Sequence, residues 1–335
     1  MNKMLIVCSL IMLGSLLLTC GIVNADRGSM PLRPPTMKEN INVFDAGQKA
    51  IICWKDGQEL MILSTDKYAT SNSKVLEFMP LPSKPSRVEE SKDQSFEGIA
   101  KLITAHRPAM PYTKMESSLR GGGGSKAASH EQPAVVIVFH EKIGAHDISI
   151  AEVQRLDGFT DWVKKFYTRN QVEYNAEDVA RLYPLVADYM NRGFTYFVFD
   201  VIELTSEKKS IEPILYRFAS RNLYFPVKVT TLSEGETDIS LYLFTPFRTD
   251  IWATRTGFKS GFYSVSGQVS YQHPIKFEVT SSELMQVSKE IARFMKAENY
   301  CDGKVWFSTA KYKGSTKNLT KDFIIKTVIC PGLSK

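Results

Sequence analysis

Along much of this chain apolar and polar residues alternate with a period of two, the pattern of strands with one buried face. Residues 49–54 and 59–64 are apolar runs separated by Lys55-Asp56-Gly57-Gln58, which predicts a β-hairpin. Cys53 falls within the first run and reads as a buried strand residue. Residues 75–82 predict another strand, and Pro80, Pro82 and Pro85 confine its end to a sheet edge or carry it out of the sheet. Residues 134–140 and 147–153 predict a second hairpin around Glu141-Lys142-Ile143-Gly144-Ala145. Residues 194–204 are too apolar for an edge strand. Strands follow at 214–219, 224–231 and 238–245, the last alternating Ile239, Leu241 and Leu243 with Ser240, Tyr242 and Phe244, whose face is expected to be only half buried. Residues 304–311 and 322–329 close the series.

Helical spacing replaces alternation at four places. Ser95 caps a segment to Ile103 with Phe96, Ile99, Leu102 and Ile103 on one face. Residues 157–169 carry Trp162, Val163, Phe166 and Tyr167. Residues 175–192 carry Val179, Leu182, Val186, Tyr189 and Met190, with a kink expected at Pro184 and a stop at Gly193. Thr280-Ser-Ser-Glu283 is a capping box that opens a helix to about Glu298, facing Leu284, Val287, Ile291, Phe294 and Met295 inward. The expected class is α+β: antiparallel strand-rich lobes with a few amphipathic helices packed on one face.

The amino terminus obeys neither pattern. Met1-Asn2-Lys3 precedes an apolar run over 4–18 broken only by Ser9, Gly14 and Ser15, and Val23-Asn24-Ala25 supplies the small residues of a cleavage site. Residues 1–25 read as a signal peptide, which predicts an extracytoplasmic protein, periplasmic or secreted. Leu17-Leu18-Thr19-Cys20 is a poor lipobox that leaves a lipid anchor through Cys20 as an alternative, and an uncut leader as another. The expected division is then an N-terminal β-rich lobe at 26–118, a Gly/Ser linker at 119–133 and a C-terminal α+β lobe at 134–335. Arg120-Gly-Gly-Gly-Gly-Ser125-Lys126 lacks the Gly-Lys-Ser/Thr ending of a phosphate loop and has no strand before it.

Composition changes the picture little. The 335 residues are 43% hydrophobic and 23% charged, which excludes disordered and disulfide-dense classes. Lys and Arg number 42 against 36 acidic residues, the signs interspersed, so no stripe for nucleic acid stands out. Cys8 and Cys20 lie in the leader, and Cys301 with Cys330 is the expected disulfide.

Candidate chemistry centres on His140, His146 and Asp147. The two histidines fall at the turn end of the expected hairpin, where with Asp147 they form a candidate metal site; the alternative is solvated turn histidines with Asp147 on loop amides. Gly261-Phe-Tyr-Ser-Val-Ser-Gly267 lacks the spacing of a nucleophile elbow. Cys301 beside His273 is a candidate nucleophile, although a disulfide half is the simpler reading. Asp200 and Glu203 fall on opposite faces of one strand, so they form no acid/base pair. No catalytic set and no cofactor is implied.

Several of these segments resemble a known family. Pro80-Leu-Pro-Ser-Lys-Pro85 resembles its P-x-P-S-x-P segment, Lys142-Ile-Gly-Ala-His-Asp147 its K-x-G-x-Y-D turn, and Trp162-Val163 its helical W-L. Tyr189-Met-Asn-Arg-Gly193-Phe194 is similar to its Y-x-x-x-G-[WF] signature. Glu212-Pro213-Ile214 and Tyr224-Phe-Pro226-Val-Lys-Val229 are similar to its paired strand motif. The family is the uncharacterised exported bacterial one called domain of unknown function 2330, and the resemblance spans about 46–245. It implies export and no particular activity. His146 stands where the family pattern has Tyr, so no shared imidazole chemistry carries over. The resulting expectation is a non-catalytic binding or cell-envelope interaction protein whose partner is an envelope protein or a polysaccharide, not nucleic acid, and which meets the membrane only through its leader. The alternative is an extracytoplasmic hydrolase or metal-binding protein with its site near His140, His146 and Asp147.

Overall fold

Asp56 and Gly57 both take left-handed φ, 52° and 71°, the backbone that a two-residue hairpin turn requires. The turn folds Gln48–Lys55 onto Gln58–Thr65 with Lys55 opposite Gln58. The computed structural model describes residues 29–32, 43–45, 47–65, 67–69, 73–91, 94–107, 134–204, 211–233, 235–263, 273–296 and 304–327. The leader with Cys20, the 119–133 linker, Cys301 and Cys330 lie outside the described residues.

This hairpin forms the middle of an eight-stranded sheet. Glu236–Thr245 pairs with Gln48–Lys55 in parallel, and Val305–Ser315 pairs antiparallel on its far side. Ile211–Ala219 and then Arg87–Glu90 extend the opposite side. A five-stranded antiparallel sheet is built from Met30–Leu32, Ser73–Leu81, Tyr196–Leu204, His146–Val153 and Val135–Ile143, in that spatial order. Tyr196–Leu204 has partners on both sides, as its apolar sequence requires. Pro80 sits opposite Phe197, past the reach of Met30–Leu32, so its missing N–H falls where the strand is locally an edge.

Alternation then sorts the core into layers. Ile52, Trp54, Met61 and Leu63 of one sheet meet Met79, Ile148, Ile150 and Val198 of the other, while Trp54 Nε1–H donates to the Ser220 carbonyl at 2.8 Å. The outer face of the five-stranded sheet, with Phe78, Phe197 and Phe199, is covered by two helices of the second half, Phe159–Arg169 and Ala176–Asn191. In chain order the helices are α1 (Ser95–Ala105), α2 (Phe159–Arg169), α3 (Ala176–Asn191), α4 (Ser281–Val287) and α5 (Lys289–Met295). Helices α1, α4 and α5 cover the outer face of the eight-stranded sheet through Ile51, Ile62, Phe244 and Phe307. The class is α+β, in four layers: helices, sheet, sheet, helices. Helices therefore cover two faces and not one, because both sheets are apolar on both sides.

Four further expectations change. Segments 26–118 and 134–335 are not separate lobes, since Ser73–Leu81 pairs with Tyr196–Leu204 and the first hairpin pairs with Glu236–Thr245 and Ile211–Ala219. The helix expected over 280–298 breaks at Ser288, which is extended (φ −165°, ψ 132°) and accepts hydrogen bonds from the Glu290 and Ile291 amides. The expected capping box at Thr280 and Glu283 is formed. The strand expected over 224–231 ends at Phe225, because Pro226 has no N–H for a ladder, and a 3-10 turn follows at Lys228–Leu232. Helix α1 starts at Ser95 without a side-chain cap. Helix α3 continues through Pro184, capped by Asn175 and followed by Gly193 at φ 87°. No helix among the described residues is long and apolar enough to cross a membrane.

Candidate functional site

The turn at Gly144, φ 58°, joins Val135–Ile143 to His146–Val153 and fixes where the candidate metal ligands point. Neighbours along a strand face opposite ways. Asp147 therefore faces the helix-bearing side, where its Oδ1 lies 2.8 Å from Nε2 of His140, and both groups are open to water. His146 faces the space between the sheets and is 1% exposed. Its Nδ1 lies 2.6 Å from Oδ2 of Asp200, and its Nε2 lies 3.2 Å from the Glu212 carbonyl oxygen. The expected set of His140, His146 and Asp147 is thus split across the sheet. Among the described residues no three His, Cys, Asp or Glu side chains gather as a metal site.

What His146 does follows from its partners. A carbonyl oxygen can only accept, so Nε2 carries a proton and donates it to Glu212. A second proton lies between Nδ1 and Asp200, so the pair holds its charge in balance inside the protein. Glu212 belongs to Ile211–Ala219 of the other sheet, which makes His146 a tie between sheets. Asp200 is buried and Glu203, as expected, is on the exposed face.

Two other buried acids are also structural. Glu59 is 0% exposed between the sheets; its Oε2 accepts the Tyr224 N–H at 2.8 Å, and burial holds its carboxyl well above the usual range. Asp322 accepts from Tyr189 Oη at 2.7 Å, from Arg192 at 2.7 Å and from the Lys228 N–H at 3.0 Å. Burial and then Asp322 push the Tyr189 hydroxyl up, and Arg192 stacks on the Tyr189 ring at 4.1 Å. Cys53 is buried as expected, and burial followed by the nearby Glu59 raises its thiol, which leaves it inert at neutral pH. His273, beside the 264–272 segment that is not described, is exposed.

A different place offers an open site. The turn 255–257, the strand Lys259–Ser260, the end of Val305–Ser315 and residues 318–321 enclose a pocket of about 380 Å³. Arg255, Lys259, Lys313 and Lys321 line it, with Thr256, Tyr312, Asn318 and Thr320 between them. Among the described residues no carboxylate, imidazole or thiol lines it. Sequence reasoning missed this site because its cations come from separate segments and vanish in the whole-chain balance. A local signal did exist: Lys311, Lys313, Lys317 and Lys321 follow one another with no acid among them.

A four-layer α+β protein with a cationic pocket, and with His140 and His146 each paired to an aspartate, is the class that the fold and site define. The chain belongs to the family described as an uncharacterised protein conserved in bacteria (DUF2330), whose profile matches residues 37–313. The match reaches past Thr245 into Val305–Ser315. No curated protein matches the chain. Among solved structures it is similar to baculovirus P35, with 12% identity and a TM-score of 0.45 over 86% of this chain and 99% of that one. A mutated baculovirus P35 after caspase cleavage gives 11% identity and a TM-score of 0.44 over 85% and 100%. The caspase-8/P35 complex gives 9% identity and a TM-score of 0.39 over 84% and 96%.

The motif residues of the family occupy joints. Ser83 Oγ donates to the Ala219 carbonyl at 2.8 Å and the Ser86 N–H to the Arg217 carbonyl at 2.7 Å, so the proline segment straps one sheet to the other. Tyr189 anchors α3 to Asp322, and Phe194 packs on Tyr189 and Tyr224.

Proposed function

We propose that this protein acts outside the cytoplasm as a binding protein and not as a catalyst, and that the cationic pocket is its binding site. The observation that carries this reading is the pocket's lining: four cations with hydroxyl and amide groups attract an anion. The histidines support it, since His106, His140 and His146 each face a carboxylate at 2.6, 2.8 and 2.6 Å, none of them beside a thiol or hydroxyl nucleophile in those contacts. The apolar run over 4–18 and the small residues before Asp26 support export.

Retention of the full chain on a polygalacturonate resin tests the binding half. The wild type should elute at clearly higher salt than the double variant Lys259→Gln/Lys313→Gln, and coincident elution would remove the pocket from the account. Cell fractionation tests the other half: protein recovered from the envelope or medium should begin at Asp26, whereas cytosolic protein that retains Met1 would contradict export.

A further inference from the structure

We propose that the pocket between Arg255 and Lys321 takes a phosphate-bearing ligand, a phosphomonoester or pyrophosphate group with two or more negative charges. This rests on the binding reading above and adds the chemistry of the ligand.

The first reason is uncompensated charge. Some cations elsewhere are paired, Arg87 with Glu89 and Glu290, Arg181 with Asp178, Arg192 with Asp322 and Lys304 with Glu278, and what sets the pocket apart is four cations lining one volume. Arg255, Lys259, Lys313 and Lys321 form no ion pair among the described residues, although Asp238 lies opposite Lys313 in the sheet register. A monoanion would leave most of that charge unbalanced, whereas a phosphomonoester or pyrophosphate offsets two units or more. The second reason is donor content. The lining combines a guanidinium and three ammonium groups with the hydroxyl residues Thr256 and Thr320, and the terminal oxygens of a phosphate accept several hydrogen bonds at once.

The third reason is the floor. Gly257 (φ 81°) and Gly314 (φ 155°) flank Tyr312, and a Cβ on either would come within 3.3 and 3.2 Å of that side chain. Neither position has a side chain to fill the pocket, and both take backbone that other residues rarely adopt, so the space stays clear above the buried Tyr312, whose hydroxyl donates to the Ser315 carbonyl at 2.7 Å. Trp252, 66% exposed, lies one 3-10 turn before Arg255, whose N–H donates to its carbonyl at 3.2 Å. An exposed indole next to cations suits either a sugar phosphate or a lipid headgroup.

The test uses the full chain in calorimetric titrations with pyrophosphate and glucose 6-phosphate, and in sedimentation with phosphatidic acid vesicles against phosphatidylcholine vesicles. At least one phosphate probe should bind saturably. Lys259→Gln/Lys313→Gln should weaken it tenfold or more and Lys321→Gln about threefold, while Lys165→Gln on α2 should stay within twofold; thermal melts confirm that each variant folds. Binding of the soluble probes alone identifies a free phosphate ester, and binding of phosphatidic acid vesicles alone identifies a headgroup; either supports the proposal. Retention on polygalacturonate without binding to any phosphate probe overturns the ligand class and leaves the binding reading intact. Loss of both overturns both, and equal weakening by Lys165→Gln reduces the effect to overall charge and overturns the pocket as the site.

Discussion

Glu59 is an acid held where its charge is costly, and that cost has a pH signature. Its carboxyl titrates far higher in the folded protein than in the unfolded chain, because burial outweighs the hydrogen bond from Tyr224. Below the unfolded carboxyl range both states are protonated and folding carries no penalty. As pH rises above about 4.5 the unfolded chain loses its proton while the folded one keeps it, so stability falls with rising pH. Glu59→Gln keeps an acceptor for Tyr224 and removes the titration. Its melting temperature should exceed that of the wild type at pH 8 and the gap should narrow toward pH 4.5; a gap unchanged across that range would contradict the assignment. Asp322 is the opposite case, a charge the fold uses fully. Asp322→Ala strands Arg192 and the Tyr189 hydroxyl, and urea unfolding should show a loss of about 3–5 kcal/mol.

At the scale of elements, Gly98 sets how closely α1 approaches α4. A Cβ there would lie 2.6 Å from the Val287 carbonyl oxygen. Gly to Ala inside a helix ordinarily gains about 1 kcal/mol. Here the backbone clash should reverse the sign and cost about 1–3 kcal/mol, measurable by urea unfolding. Ser288→Ala removes the cap of α5 and should cost about 1 kcal/mol. These elements also show what could be read in advance. The Asp56-Gly57 hairpin, the Thr280–Glu283 box and the burial of Ile239, Leu241 and Leu243 rest on neighbours in sequence and formed as expected, whereas Phe244, expected on a half-buried face, is fully buried because helices cover that side. The break at Ser288 escaped because the apolar spacing from Leu284 to Met295 continues across it, while the cap that decides the matter is a local competition. The opposite facing of His146 and Asp147 was legible, since adjacent strand residues cannot share a face. Which sheet receives His146 depended on Asp200 and Glu212, 54 and 66 residues away.

Over the whole molecule, strands from both halves of the chain share each of the two large sheets, so the segment 108–133 joins parts of one fold. Pairing of Lys259–Ser260 with Val305–Ser315 sets the turn after Trp252 against the end of that strand and gathers four lysine and arginine side chains that the average charge conceals. The family motifs lie at joints between layers, and the open chemistry lies at the far edge of the eight-stranded sheet. The account stands on that edge being the binding site and the histidine turn being structural. Hydrogen–deuterium exchange of the full chain with and without saturating pyrophosphate tests it most directly. Slower exchange confined to 252–260 and 311–321 is the expected result; slower exchange at 140–147, or none anywhere, would contradict it.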